Sequence, residues 1–404
     1  MIEHLEERLS FNAKKMKRSE IRELLKLTAR PEIISFAGGL PAPQSFPVNE
    51  IREIACSVLD SKGTKALQYG PTEGVDELRE ELCKLLLEDG IKVDKDNILV
   101  TTASQQGLDL VGKVFVDPDD PIIVEEPSYV GAIGAFRSYS ANMIGVEMDD
   151  EGVRIDLLEA TLKELDSKGV RPKFVYVIPD FHNPAGVTLP LERRKKILEL
   201  ARQYDLVVIE DSPYRMIRFR GEHIPPLQAL DEDGRVVSLY TFSKILVPGF
   251  RLGWMVGPKE LIDKFVVAKQ AMDLCTPPFN QYLTAEFLRR GLLKKTVKRT
   301  VAMYKEKNEL MLECLEKYMP KGKGVKWTKP DGGLFLWVTL PEHVDTGELF
   351  KKAIEHNVAF VIGSAFYPKG DKNNSFRVNF SYPSKEQIEE GVKRLGMVIS
   401  EALK

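Results

Sequence analysis

Apolar and polar positions along this chain change period twice. Between Asn97 and Trp254, short apolar runs recur: Ile98-Leu99-Val100-Thr101-Thr102, Pro121–Glu125, Met143–Val146, Phe174–Ile178, Leu206–Ile209 and Val236–Tyr240, with a seventh opening near Arg251. Between them lie stretches of helical period at Gln105–Phe115, Tyr129–Ser138, Arg154–Leu165 and Leu191–Tyr204. Near-continuous apolar strands alternating with helices predict an α/β fold: a mostly parallel seven-stranded sheet with helices on both faces. Ahead of it, Ser19 can cap a short helix with Ile21, Leu24 and Leu25 on one face, and Pro31 stops it. The strand-like run Ile33–Phe36 then leads into Ala37-Gly38-Gly39-Leu40-Pro41, a turn where backbone can approach a ligand closely. Helices follow at Val48–Ser61 and Val75–Glu88, around a loop at Leu67–Gly74. After Pro258 the pattern is helical through Tyr318. The last hundred residues carry shorter strands at Leu334–Val338, Val358–Val361 and Phe376–Phe380, with helices at Gly347–His356 and Lys385–Leu403. This predicts a smaller α+β domain. The expected division is an N-terminal arm and helix over 1–47, packing with the small domain and the substrate site, a large domain over 48–285 and the small domain over 286–404.

Composition narrows the classes. At 404 residues two domains are expected, and 43% hydrophobic with 29% charged residues describes an ordinary soluble chain. A net charge of -2, with no basic block, argues against nucleic acid as a partner. No apolar run approaches the ~18 residues of a membrane span, and the acidic start Met1–Glu7 is unlike a signal peptide. Cys56, Cys83, Cys275 and Cys314 lie far apart without metal-ligand spacing. They are expected as reduced core or helix residues of a cytoplasmic protein.

Candidate chemistry sits at strand ends, where open parallel sheets bind ligands. Ser104 and Gln105 open a helix whose free N–H groups suit a phosphate; a plain N-cap serine is the alternative. Tyr129 can stack on a flat ring or simply fill the core. Asn183, in Asp180-Phe181-His182-Asn183-Pro184-Ala185-Gly186, is a ligand amide or a turn residue. Asp211 ends a strand so apolar that its carboxylate needs a cation or several hydrogen bonds, with Tyr214 three residues on. Ser243, Lys244 and Arg251 follow Val236–Tyr240. A lysine there is either a solvated loop residue or one that forms an imine with a carbonyl cofactor. Five successive strand ends thus carry a phosphate site, a stacking residue, an amide, an acid and a lysine. That set meets the demands of pyridoxal phosphate: an imine-forming lysine, an acid on the pyridine nitrogen and a phosphate cup.

Ser35-Phe36-Ala37-Gly38-Gly39-Leu40-Pro41, Gln68-Tyr69-Gly70-Pro71, Asn183-Pro184-Ala185-Gly186, Asp211-Ser212-Pro213-Tyr214 and Ser243–Gly253 resemble the fold-type I pyridoxal-phosphate aminotransferases. The likeness is greatest to the 2-aminoadipate and kynurenine aminotransferase subgroup, and it covers nearly the whole chain. It implies that Lys244 holds the cofactor, Asp211 pairs with the pyridine nitrogen, and Asn183 and Tyr214 bond the ring oxygen. Tyr129 would stack on the ring, and Ser104, Gln105, Ser243 and Arg251 would hold the phosphate. Tyr69 would reach the phosphate of a neighbouring subunit, so a homodimer sharing its active sites is implied. Arg377 would clamp the substrate α-carboxylate, with Gly39 and Asn183 beside it, and Arg22 would meet a distal carboxylate. His182 and Ala185 stand where relatives more often have Gln and Thr, which alters the ring's surroundings but not the named contacts. The implied activity is ping-pong transfer of an amino group from an L-amino acid (2-aminoadipate, glutamate, aromatic or branched-chain) to a 2-oxo acid such as 2-oxoglutarate. Two alternatives use the same core: another fold-type I reaction such as β-elimination, or an aminotransferase-like ligand sensor. Sensors of that kind carry a helix-turn-helix domain ahead of the core, and only about thirty residues precede Ser35.

Overall fold

The computed structural model describes residues 4–15 and 30–404. Its large sheet runs, in spatial order, Ile98–Thr101, Gly253–Val256, Val236–Thr241, Val207–Asp211, Phe174–Val177, Pro121–Glu126, Asn142–Asp149 and Gly152–Val153. These are the seven expected strands, extended by one two-residue strand that folds back on Asn142–Asp149. Neighbours from Val236–Thr241 across to Asn142–Asp149 pair in parallel, whereas Gly253–Val256 is antiparallel to both strands beside it. Four of the seven expected strands are buried at every residue, which is why they read as continuous rather than alternating apolar runs. Side chains still alternate between faces. Ile209 and Val237 join Leu108 and Phe136 on one side, and Val208 and Val236 join Ile197 and Leu200 on the other.

Several elements differ from expectation. The helical stretch after Pro258 is three helices, Lys259–Gln270, Pro278–Arg289 and Leu292–Tyr318. Pro277-Pro278 and Gly291, at φ 66°, break it. A one-turn helix, Leu227–Leu230, was too short to show a period. The run Val358–Val361 is not one strand. Val361–Ile362 joins the antiparallel sheet of Lys326–Trp327, Phe335–Thr339 and Ser375–Asn379, while Val358–Ala359 pairs in parallel with Ile34–Ser35. The arm is thereby tied into the smaller sheet: Phe36 N donates to Ala359 O at 2.8 Å and Phe36 O accepts from Asn379 N at 2.8 Å. The helix expected around Ile21–Leu25 lies outside the described residues. Cys56, Cys83 and Cys314 are free thiols on helices, but Cys275 is half-buried in a bend outside any helix. Among the described residues no helix is long and apolar enough to cross a membrane, and no group of His, Cys, Asp and Glu could hold a metal ion.

The loop that carries Asn183 is anchored by a buried charge cluster. Asp180 accepts from Arg194 Nη2 at 2.8 Å and from Arg215 Nη1 at 2.8 Å, and Arg218 stands 3.4 Å away. Burial disfavours the Asp180 carboxylate, but the guanidinium groups of Arg194, Arg215 and Arg218 outweigh it and hold the group below its ordinary range. Removing the acid leaves the fully buried Arg194 guanidinium without an anion and Arg215 with Asp89 alone, so Asp180→Ala should cost about 3–5 kcal/mol of stability by calorimetry or denaturant unfolding. A loss below about 1 kcal/mol would mean the cluster does not anchor this loop.

Candidate active site

The polar residues singled out in the sequence converge at one end of the large sheet. Gly253–Val256 runs antiparallel, so its beginning lies beside the ends of the parallel strands. Arg251 and Gly253 therefore join the row formed by Ser104, Lys244, Asp211, Asn183 and Tyr129. The turn after Val236–Thr241 is held from within. Ser243 N donates to Thr241 Oγ1 at 3.1 Å, and Thr241 Oγ1 donates to Ser243 Oγ at 2.9 Å. Arg251, in the left-handed region at φ 49°, directs Nη1 to within 3.4 Å of Ser243 Oγ. Gly253 is required here: a Cβ would lie 2.6 Å from Tyr240 O and 2.8 Å from Ser104 N. The absence of that Cβ lets the turn close against the start of helix Ala103–Phe115, where Ser104 and Gln105 sit. Gln105 Nε2 donates to Gly131 O at 3.0 Å, and a Cβ on Gly131 would meet both the Tyr129 ring and Gln105 Oε1.

Lys244 donates from Nζ to Gly39 O at 2.7 Å. Burial first, then the charges of Arg377 and Arg251, push its pKa down to about 8. A solvated loop lysine would show none of this. Asp211 is buried at the end of its strand. Its Oδ2 accepts from Tyr176 Oη at 2.7 Å, and its Oδ1 is buried with no protein partner among the described residues. Burial pushes this carboxyl up to about 7, against the pull of the Tyr176 hydrogen bond. Asn183 Nδ2 donates to Tyr214 Oη at 3.1 Å, and Asn183 Oδ1 accepts from Arg377 Nη1 at 2.8 Å. Burial raises the Tyr214 phenol above its ordinary range, so its hydroxyl stays protonated.

Arg377 is no strand-edge arginine. Its strand is flanked on both sides, pairing with Trp337 and Val361, and the side chain is 6% exposed. Nη2 donates to Ala37 O at 2.9 Å, and the guanidinium lies 4.1 Å from the Phe335 ring centroid and 5.2 Å from that of Phe366. Burial lowers its pKa to about 10, and Nε has no protein partner among the described residues. Tyr69 stands apart, 79% exposed, and Arg22 lies outside the described residues. His182, fully buried, accepts from Ala185 N at Nδ1 and places Nε2 3.1 Å from Glu125 Oε2, so it supports the Asn183 turn from behind.

Sequence reasoning missed Tyr176, Thr241, the Ala37 carbonyl and the two phenylalanines flanking Arg377. Tyr176 carried one legible signal, a hydroxyl within an otherwise wholly apolar strand. The others depend on contacts between distant segments.

A family model for aminotransferase class I and II matches residues 37–395. The chain belongs to this family. It is 48% identical over 400 residues to an aromatic-amino-acid aminotransferase 1 of Thermococcus litoralis, covering 99% of this chain and 95% of that one. It is 43% identical to a 2-aminoadipate transaminase of Thermus thermophilus, covering 96% of this chain and 95% of the relative. A crystal structure of Pyrococcus horikoshii kynurenine aminotransferase, in complex with PMP and with kynurenine as substrate, superposes with a TM-score of 0.96. It shares 47% identity and covers 100% of this chain and 99% of its own. This aminotransferase is thus a transaminase of the fold-type I architecture that works with pyridoxal phosphate. Its own residues fit that cofactor. Asp211 offers a buried carboxylate oxygen with no partner among the described residues, and Arg251, Ser243 and the start of helix Ala103–Phe115 form a cationic, donor-rich cradle whose walls pack closely at Gly253.

The lowered Lys244 pKa has a direct readout. In the cofactor-free aminotransferase, the rate at which an amine-specific reagent modifies Lys244 should rise with a midpoint near pH 8. A midpoint near the ordinary lysine value of 10.5 would show that the group is solvated.

Proposed function

We propose that Lys244 is the residue that carries the cofactor and moves the substrate proton, within an aminotransferase that favours dicarboxylic substrates and accepts others. The observation that carries this reading is the convergence of a desolvated Lys244 with Asp211, whose free Oδ1 suits a protonated pyridine nitrogen. Asn183 and Tyr214 are suited to the ring oxygen, Tyr129 to the ring face, and Ser104, Gln105, Ser243 and Arg251 to the phosphate. Bound pyridoxal phosphate supplies an acceptor for the electron pair freed when a bond at the substrate Cα breaks. Lys244 Nζ would carry the proton from Cα to the cofactor carbon that receives it, a task matched to an amine whose pKa lies near neutrality. Arg377 holds the α-carboxylate through its planar donors, already oriented by Asn183 and Ala37 and shielded by Phe335 and Phe366. Retaining that carboxylate directs bond breaking to the Cα proton.

The reaction runs as two half-reactions, with an L-amino acid as donor and 2-oxoglutarate as acceptor. Arg22, in the N-terminal segment, is assigned to the distal carboxylate of 2-aminoadipate or glutamate. The relatives named for aromatic amino acids, 2-aminoadipate and kynurenine support a pocket that takes both acidic and aromatic side chains. Tyr69 acts across a homodimer interface. Its exposure in one protomer, next to Leu67 at 72%, supports that placement. The chain divides into an arm, a large domain over 48–285 and a small domain over 286–404, and works in the cytoplasm.

Mixing the holoenzyme with single amino acids, with no oxo acid present, tests this reading. 2-Aminoadipate and glutamate should bleach the cofactor's visible band fastest. Arg22→Ala should lower kcat/KM for these two by about ten- to a hundredfold while sparing aromatic donors. Equal losses for all donors, or none, would remove Arg22 from the substrate site. Arg377→Lys, which keeps the charge but loses the planar fork, should lower kcat/KM for every donor by about a hundredfold. Retained activity would refute the clamp. Light scattering should give a dimer.

A further inference from the structure

Asp211 has two oxygens, and the fold gives them different fates. Tyr176 stands opposite Ile209 on the neighbouring parallel strand, so it shares a face with Asp211, two residues further on. Its hydroxyl reaches Asp211 Oδ2 at 2.7 Å, with both side chains buried. The pair is formed inside one sheet, between strands that are each locked by backbone hydrogen bonds. Oδ1 is left without a protein partner among the described residues.

We infer that Tyr176 is a positioning residue for the cofactor: by donating to Asp211 Oδ2 it keeps that carboxylate ionised and turned so that Oδ1 faces the pyridine nitrogen. This rests on Asp211 as the partner of that nitrogen. The geometry supplies the direction of the effect. A buried carboxylate is disfavoured by desolvation, and a phenol donor stabilises its charged form. The phenol must itself keep its proton. Burial, followed by the Asp211 charge, raises Tyr176 well above its ordinary range. The other ionisable groups close enough to act on the pair are Tyr129, Glu125 and Tyr214, and all are neutral or anionic. No cation in the described surroundings substitutes for the phenol as a stabiliser of Asp211, whose only favourable contact is Tyr176. Asn183 bonds to Tyr214 and Arg377, Arg377 also to the Ala37 carbonyl, and Lys244 to the Gly39 carbonyl, rather than to Asp211.

Tyr176→Phe removes one oxygen and keeps the ring, so the packing against Phe136 survives. Titration of the cofactor-free protein with pyridoxal phosphate should show about tenfold weaker binding in this variant. The 15N shift of ring-labelled cofactor in the holoenzyme should move towards the unprotonated pyridine. In an Asp211→Asn background, Tyr176→Phe should weaken binding no further, because the phenol acts only through the carboxylate. Affinity within twofold of wild type with an unchanged 15N shift would overturn the proposal. A full additional loss on top of Asp211→Asn would overturn it equally, since Tyr176 would then act by packing. If Asp211→Asn alone leaves cofactor affinity and the 15N shift untouched, the assignment of Asp211 fails first, and that outcome is distinct from the other two. Thermal midpoints of the cofactor-free variants separate a folding defect from a binding one.

Discussion

The guanidinium of Arg377 is the point on which three separate segments close. It comes from the centre of the smaller sheet, donates to Asn183 on a loop of the larger sheet, and donates to the carbonyl of Ala37 in the N-terminal arm. A buried cation is tolerable only if its donors are satisfied, so each segment is required by the others. Phe335 and Phe366 flank the group, exclude water and offer the negative faces of their rings. Even so, Nε has no hydrogen-bond partner among the described residues. An unsatisfied buried donor of this kind is what a site completed by a ligand would present.

Charge at the site is unbalanced in the same sense. Lys244, Arg251 and Arg377 gather at the site, and none of them bonds to its acid, Asp211. Such an excess of positive charge suits a phosphate and a substrate carboxylate arriving together. It also explains why the lysine is held below its ordinary pKa. Desolvation acts first, and two nearby arginines add to it. An amine on a free loop would lack both causes. The same enclosure pushes Asp211 upward, and the Tyr176 hydroxyl opposes that push. Two neighbouring strands thus carry, at or just beyond their ends, groups whose ionisation is moved in opposite directions by one environment.

Close backbone approach completes the arrangement. The turn at Ser243–Gly253 packs so tightly against the start of helix Ala103–Phe115 that Gly253 has no space for a side chain. Behind the Asn183 turn, Asp180 binds three arginines, and His182 and Glu125 fill the space between strands. Asp211 and Arg377 sit on strands, Ser104 and Gln105 on a helix, and Asn183 and Lys244 on turns held by hydrogen bonds, while Tyr69 projects into solvent from a glycine- and proline-rich loop.

The sequence by itself determined the large sheet and most of what lines the site. Buried parallel strands must be apolar throughout, so they stand out, and polar residues at their ends stand out against them. Lys244, Asp211, Asn183 and Tyr129 were legible for that reason. Val358–Val361 was misread as one strand because local hydrophobicity does not tell which partner each half will pair with. The burial of Arg377 was invisible for a related reason: a single arginine in a short strand looks the same at an edge or in the middle of a sheet. Only the tertiary structure decided that Gly253–Val256 runs antiparallel, bringing Arg251 to the same edge as the other strand ends. It alone gave Tyr176 to Asp211 and Ala37 to Arg377. Pairing direction and register are set by contacts between segments far apart in the chain, and local pattern carries no record of them.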